Sequence, residues 1–314
     1  MKIMKLIGAV FSLLFLTTFT LFASETMMPA GSGKDGPGKG YLSSEKSCFK
    51  CHKDSHASYL ESSHAYSTNP KAPANTHACQ SCHGPGEAHA RSLGEVPIYF
   101  SPSAKNLKAK EINAICMECH QTGETKLWHG SKHQREGNSC LDCHNTHGGN
   151  YKNLKQGTIS DNCKSCHKEV YSDLNKSSHH PIKEGKVSCT DCHNPHGTVN
   201  EGLMKGFSIN QTCYSCHAEK RGPFLWQHIP TTEACTTCHV PHGSSHARLL
   251  KTKAPFLCQK CHDNQYHPSD ARGASVAGQG SAFTEAKQLY GRACMNCHIQ
   301  VHGSNHPAGK ALMR

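Results

Sequence analysis

The sequence predicts a fold of short α-helices and irregular loops with little or no β-structure, repeated along an elongated chain around something other than side chains. Three observations predict it. Only 36% of the 314 residues are hydrophobic, 7% are aromatic and the mean hydropathy is −0.60, with 27 Gly and 15 Pro; so little apolar material cannot fill an ordinary interior. The chain carries 20 Cys and 26 His, far above normal use. One five-residue pattern, CxxCH, recurs every 22 to 37 residues from position 48 onward, the signature of a repeat architecture.

The pattern accounts for every cysteine. Its ten copies are Cys48, Cys51 and His52; Cys79, Cys82 and His83; Cys116, Cys119 and His120; Cys140, Cys143 and His144; Cys163, Cys166 and His167; Cys189, Cys192 and His193; Cys213, Cys216 and His217; Cys235, Cys238 and His239; Cys258, Cys261 and His262; and Cys294, Cys297 and His298. From the chain's own Cys and His frequencies about 0.1 copies would arise by chance. Disulfides or zinc pairs would leave the invariant following histidine unexplained, and a thioredoxin-like motif would occur once. CxxCH is the attachment signature of c-type haem. Residues i, i+3 and i+4 share one side of a helical turn, so two thiols can form thioethers to the haem while the adjacent imidazole meets the iron. The expected cofactor is ten covalent haems, and the expected fold class is a multihaem cytochrome c.

Sixteen histidines remain, and ten of them recur in order. Each pair of motifs supplies two: His64 and His89, His133 and His147, His179 or His180 and His196, His228 and His242, His267 and His302. Four of these, 147, 196, 242 and 302, stand in an x-His-Gly frame behind an even-numbered motif. The expectation is a second axial ligand for every iron, with bis-histidine coordination favouring electron transfer over substrate chemistry. Ser177 and Ser178 make the choice between His179 and His180 open, His77, His129 and His306 are the substitutes, and the spacing leaves open which iron each distal histidine serves.

Lys2 and Lys5 precede an apolar run from Leu6 to Phe22, and Ala23 or Ser24 offers a small-residue cleavage point, the form of a secretory signal peptide (1–23). Residues 24–40 form a flexible lead-in. The haem-binding domain is expected over 41–314, as five dihaem units at 41–95, 110–150, 158–200, 208–247 and 253–306. In DNCKSCHKEVYSDLNKSS a helix is expected with Ser160 or Asp161 as its cap. Met117, Met295, Trp128 and Trp226 are expected to pack on porphyrin.

The formal charge of +11 invites a nucleic-acid reading, but export and the absence of basic runs interleaved with aromatics argue against it. Two propionates on each haem bring about −20 in total, so the excess Lys and Arg are expected to balance them.

The ten motifs, the segment SSHHPIKEGKVSCTDCHNPHGT and the tail CMNCHIQVHGSNHPAGKALMR resemble the periplasmic decahaem cytochromes of the MtrA/DmsE type, over essentially the whole mature chain. The resemblance implies a non-enzymatic electron carrier at the outer membrane, lodged in a β-barrel porin. It also implies exchange with an outer-surface multihaem cytochrome or reductase, and supply from an inner-membrane quinol-oxidising or periplasmic cytochrome. Relatives serve metal reduction, dimethyl sulfoxide respiration or iron oxidation. The family is often described as two pentahaem halves, whereas the motif order here reads as five pairs. A soluble periplasmic shuttle is the alternative; a multihaem reductase would need a vacant iron position, and no motif departs from CxxCH.

Overall fold

A computed structural model describes residues 40–101, 107–148, 154–155, 157–262 and 294–313. The expected signal peptide, the lead-in up to residue 39 and His267 lie outside the described residues. Among the described residues the chain forms twelve α-helices of four to nine residues, 3-10 turns between them, and no strand or sheet. The helices are α1 Lys46–Phe49, α2 Lys53–Leu60, α3 Gln80–His83, α4 Glu87–Arg91, α5 Ala109–Met117, α6 Lys132–Arg135, α7 Cys140–Cys143, α8 Ile159–Lys164, α9 Lys168–Asp173, α10 Cys189–Cys192, α11 Ile209–Tyr214 and α12 Ile229–Glu233. No helix among the described residues is long and apolar enough to cross a membrane.

The described residues form two compact units, one within 40–53 and 67–101, the other within 54–66 and 107–313. Neither has a thick apolar centre. Only eight apolar residues are buried among those described, against nine polar ones, and the polar ones are structural. In the first unit, buried Gln80 clamps Leu42 from both sides, accepting from its N–H at 2.9 Å and donating to its carbonyl at 3.0 Å. The same amide oxygen also accepts from Gly86 N–H.

In the second unit the motifs at Cys116, Cys163 and Cys213 ride the C-terminal end of a capped helix, whereas those at Cys235, Cys258 and Cys294 open on 3-10 turns. Glu111 accepts from Lys108 N–H at the start of α5, Thr158 caps α8 by accepting from Asp161 N–H at 3.0 Å, and Ser208 caps α11 through Gln211 N–H. The cap of α8 therefore lies two residues before the expected Ser160. Asp161 sits at the third helical position, where its carboxylate accepts from the Thr158 hydroxyl at 2.6 Å. The expected helix also breaks around the motif, which separates α8 from α9. Two even motifs, SCLDC and SCTDC, are single turns closed by capping boxes. Asp142 accepts from Ser139 N–H at 2.7 Å, and Asp191 from Ser188 N–H at 2.8 Å. The acid inside the motif is thus its cap.

A buried asparagine three residues before an odd motif ties it to the next even one. Asn113 accepts from Cys140 N–H at 2.8 Å and donates to Asn138 O. Asn210 accepts from Cys235 N–H at 2.7 Å and donates to the carbonyls of Thr231 and Thr232. Replacing Asn210 with Ala leaves these part-buried groups unpaired, at about 1–3 kcal/mol. Asn210→Ala is expected to lower the apparent melting temperature of the holoprotein by several degrees, while Gln211→Ala on the exposed side of the same turn moves it little. A scan followed by haem absorbance measures both.

Candidate haem-binding sites

Each CxxCH folds as one turn. In all ten copies the histidine N–H donates to the carbonyl of the first cysteine, at 2.9–3.1 Å, which brings both thiols and the imidazole to one side. None of the twenty cysteines is paired in a disulfide, and all are half-buried or exposed. Among the described residues no three Cys, His, Asp or Glu side chains converge as a bare metal site would require.

The histidines meet in pairs. His52 faces His89 at a ring-centroid distance of 6.2 Å, His120 faces His64 at 6.0 Å, and His144 faces His196 at 5.9 Å. His167 faces His133 at 6.0 Å, His193 faces His242 at 6.0 Å, and His217 faces His180 at 6.3 Å. His239 faces His302 at 6.1 Å and His262 faces His228 at 6.0 Å. In every pair one member belongs to a motif and the other to the expected distal set. Two imidazoles bonded to one metal at about 2.0–2.1 Å would hold their centroids about 6 Å apart. The gaps are the size of an iron atom, and the residues fit the haem that the motif calls for.

Second contacts orient these rings. A carbonyl can only accept, so an imidazole nitrogen against one carries the proton and leaves the opposite nitrogen free for a metal. His83, His193, His239 and His298 direct Nδ1 to the carbonyls of Phe100, Gly202, Arg248 and Ala311, at 2.6–2.8 Å. The distal His89 does so to Val96 O at 2.8 Å. His133, His180 and His228 reach Pro195, Pro241 and Val301 O at 2.8, 2.6 and 2.9 Å, and His64 is bonded to the Thr146 backbone. These last four acceptors each immediately precede an x-His-Gly histidine.

The glycine of that frame has a steric cause. A Cβ on Gly197, whose φ is +127°, would fall on the carbonyl of Leu127; one on Gly243 would fall on the carbonyl of Asp173. Close approach of these two backbones leaves room only for hydrogen. Paired main-chain bonds between Ser178 and Ser244, and between Trp226 and Ser304, brace the same junctions at 2.8–3.0 Å.

The other histidines separate cleanly. His180 faces His217, whereas His179 spends both nitrogens elsewhere, on Lys176 O at 2.7 Å and Glu184 at 3.2 Å, contacts that raise its pKa. His77 lies against the Tyr41 ring, His129 contacts Gln134, and His306 accepts from Ala308 N–H. His147 has the Tyr59 ring at 6.5 Å. Burial holds His64, His196, His242 and His302 below the ordinary histidine range, so they stand neutral at neutral pH.

The thiols also form a series. First cysteines meet first cysteines through thiol hydrogen bonds: Cys48 with Cys79, Cys116 with Cys140, Cys163 with Cys189, Cys213 with Cys235 and Cys258 with Cys294. Second cysteines approach second cysteines at the alternate junctions, Cys143 with Cys166, Cys192 with Cys216 and Cys238 with Cys261. From Cys116 to Cys294 the attachment points follow one another in chain order.

Sequence reasoning missed Asn113, Asn210 and the carbonyl anchors. Aligning the repeats on the first cysteine of each odd motif would have exposed the asparagines, as NAIC and NQTC.

A family model described as a doubled CXXCH motif matches residues 132–171, 179–222 and 228–267. The chain is 44% identical over 270 residues to the multiheme cytochrome MtrA of Shewanella baltica (strain OS185), covering 85% of this chain and 80% of that protein. The motif binds haem c covalently, and the protein is a multihaem electron-transfer cytochrome. Its repeats, its turns and its likeness to that relative agree, and the chain belongs to the MtrA family of multihaem c-type cytochromes.

Proposed function

We propose that the chain holds ten haems, each iron between two histidines, and passes electrons along them in chain order across the outer membrane. The observation that carries this reading is the alternating series of thiol contacts, which from Cys116 to Cys294 sets one attachment point beside the next. The haem supplies the ferric–ferrous couple when bound. The protein's own part is to hold rings, thiols and charge fixed, so that little has to move when an electron passes. The Nδ1 contacts to carbonyls make the imidazoles more basic ligands, which favours the ferric state. His147 and His267 complete the distal set, and the unit boundaries expected from the motif order group the motifs by their first-cysteine contacts rather than by their ligands.

The outer-membrane setting rests on the family. In this reading the chain is exported, sits within a β-barrel porin, receives electrons from an inner-membrane quinol-oxidising or periplasmic cytochrome, and exchanges them with an outer-surface multihaem cytochrome or reductase.

Reconstitution tests the conduit. Liposomes loaded with a redox dye, and carrying the chain with its copurified barrel, are expected to bleach when an impermeant reductant is added outside. Dye reduction no faster than with empty barrels, or a chain that never copurifies with a barrel, would leave a soluble carrier instead.

Ligation is tested separately. His242→Ala is expected to convert one haem of the ten to high spin at neutral pH by electron paramagnetic resonance, because His193 then lacks its facing ring; a wholly low-spin spectrum would refute the pairing. The pH dependence has a definite sign. The four buried distal histidines have lowered values, so their contribution is complete above the ordinary histidine value of about 6.5. It is lost as the pH falls through the lowered values. Iron on the same ring would push protonation lower still, so the haems are expected to stay low spin through about pH 6.5 and to turn high spin only on stronger acidification; high-spin signal rising near that ordinary histidine value contradicts ligation by these rings.

A further inference from the structure

The two tryptophans differ in a way the repeat does not anticipate. Trp226 donates its indole N–H to His306 O at 2.9 Å. Trp128 is 6% exposed and its indole nitrogen has no hydrogen-bond partner. Among the described residues one other buried side-chain nitrogen or oxygen is in that state, Nδ1 of His196. The two rings meet at 6.4 Å, and His196 is the ring that faces His144. Both unpartnered nitrogens thus border one haem site, the one served by Cys140 and Cys143. The backbone under Trp128 is fixed, with its N–H on Thr125 O and its carbonyl accepting from Ser131 N–H, both at 2.9 Å. Leu127 is pinned beneath Gly197.

An indole N–H can only donate, and a buried donor without an acceptor carries its full desolvation penalty. Among the described residues no acceptor meets it. A haem propionate is an anionic acceptor that arrives with the cofactor. We propose that Trp128 is a haem-carboxylate-binding residue, its indole N–H donating to a propionate of the haem attached at Cys140 and Cys143. The inference rests on the haem ligation proposed above. Such a bond offsets part of the carboxylate's negative charge near the iron, and so disfavours the ferric state at that one site.

The test uses the holoprotein. With only two tryptophans in the chain, labelling with 15N-tryptophan gives two indole signals in the all-ferrous, diamagnetic state, and W226F leaves that of Trp128. The expected signal lies at a hydrogen-bonded position, resists exchange into heavy water and shifts on oxidation. In W128F, potentiometric titration is expected to move one haem of the ten to lower potential. In the same variant the infrared bands of one 13C-labelled haem carboxylate are expected to shift, with the haem count by mass spectrometry unchanged. An indole signal without a hydrogen bond overturns the proposal, and being read on the unsubstituted side chain it does so even where W128F fails to fold. Labelled carboxylate bands unmoved in W128F, as for an indole bonded to water, also overturn it. Absence of haem from Cys140 and Cys143 in the unsubstituted protein would instead sink the ligation reading itself.

Discussion

The second unit depends on one hydrogen bond repeated along it, from Nδ1 of a distal histidine to the carbonyl that precedes an x-His-Gly histidine. Pro195 O receives His133, and the next residue, His196, turns the other way to face His144. Pro241 and His242 do the same for His180 and His193, and Val301 and His302 for His228 and His239. One short turn thereby fixes the tautomer of one histidine and sets the next against a motif histidine. Glycine follows because the turn must press against the preceding backbone, at Leu127 and at Asp173.

This arrangement explains how a chain with so thin an apolar core holds its shape. Burial of eight apolar side chains among the described residues cannot balance the ordering of so many loops. Buried Asn113 and Asn210 and the capped single turns position the thiols, and covalent haem supplies the apolar bulk. Polar residues are therefore buried here in the role that leucines fill elsewhere, and their hydrogen bonds are directional, which is what a set of metal ligands requires.

Much of this was legible in the sequence, because CxxCH is a local code: the spacing that attaches a haem also closes a helical turn, in every copy. The lack of sheet among the described residues followed from composition, and recurrence picked out eight histidines that the fold sets opposite motif histidines. What was not legible depended on contacts distant in sequence. The S-S-H-H frame could not separate His179 from His180, since the choice is made by Pro241, 61 residues on from His180, and by Glu184. The cap of α8 was misplaced because Asp161, a good capping residue, serves at the third helical position while Thr158 takes the end. Trp128 and Trp226 look equivalent in the repeat, and only the fold gives one an acceptor and not the other.

The interleaving also settles what kind of repeat this is. In a simple solenoid each unit is complete and contacts its neighbours across a face. Here the ring facing His120 comes from residue 64, ahead of its own motif pair, and the ring facing His144 comes from residue 196, behind it. The doubled-motif frame, which runs from His133, from His179 or from His228, encloses the pairs 133–167, 180–217 and 228–262, yet splits the first-cysteine contacts between frames. The dihaem frame keeps the thiols together and splits the ligands. Neither cut leaves a repeat that could ligate its own irons completely. Each repeat of the second unit therefore folds as part of its neighbours, so that the turns presenting the motif histidines are a condition of its stability.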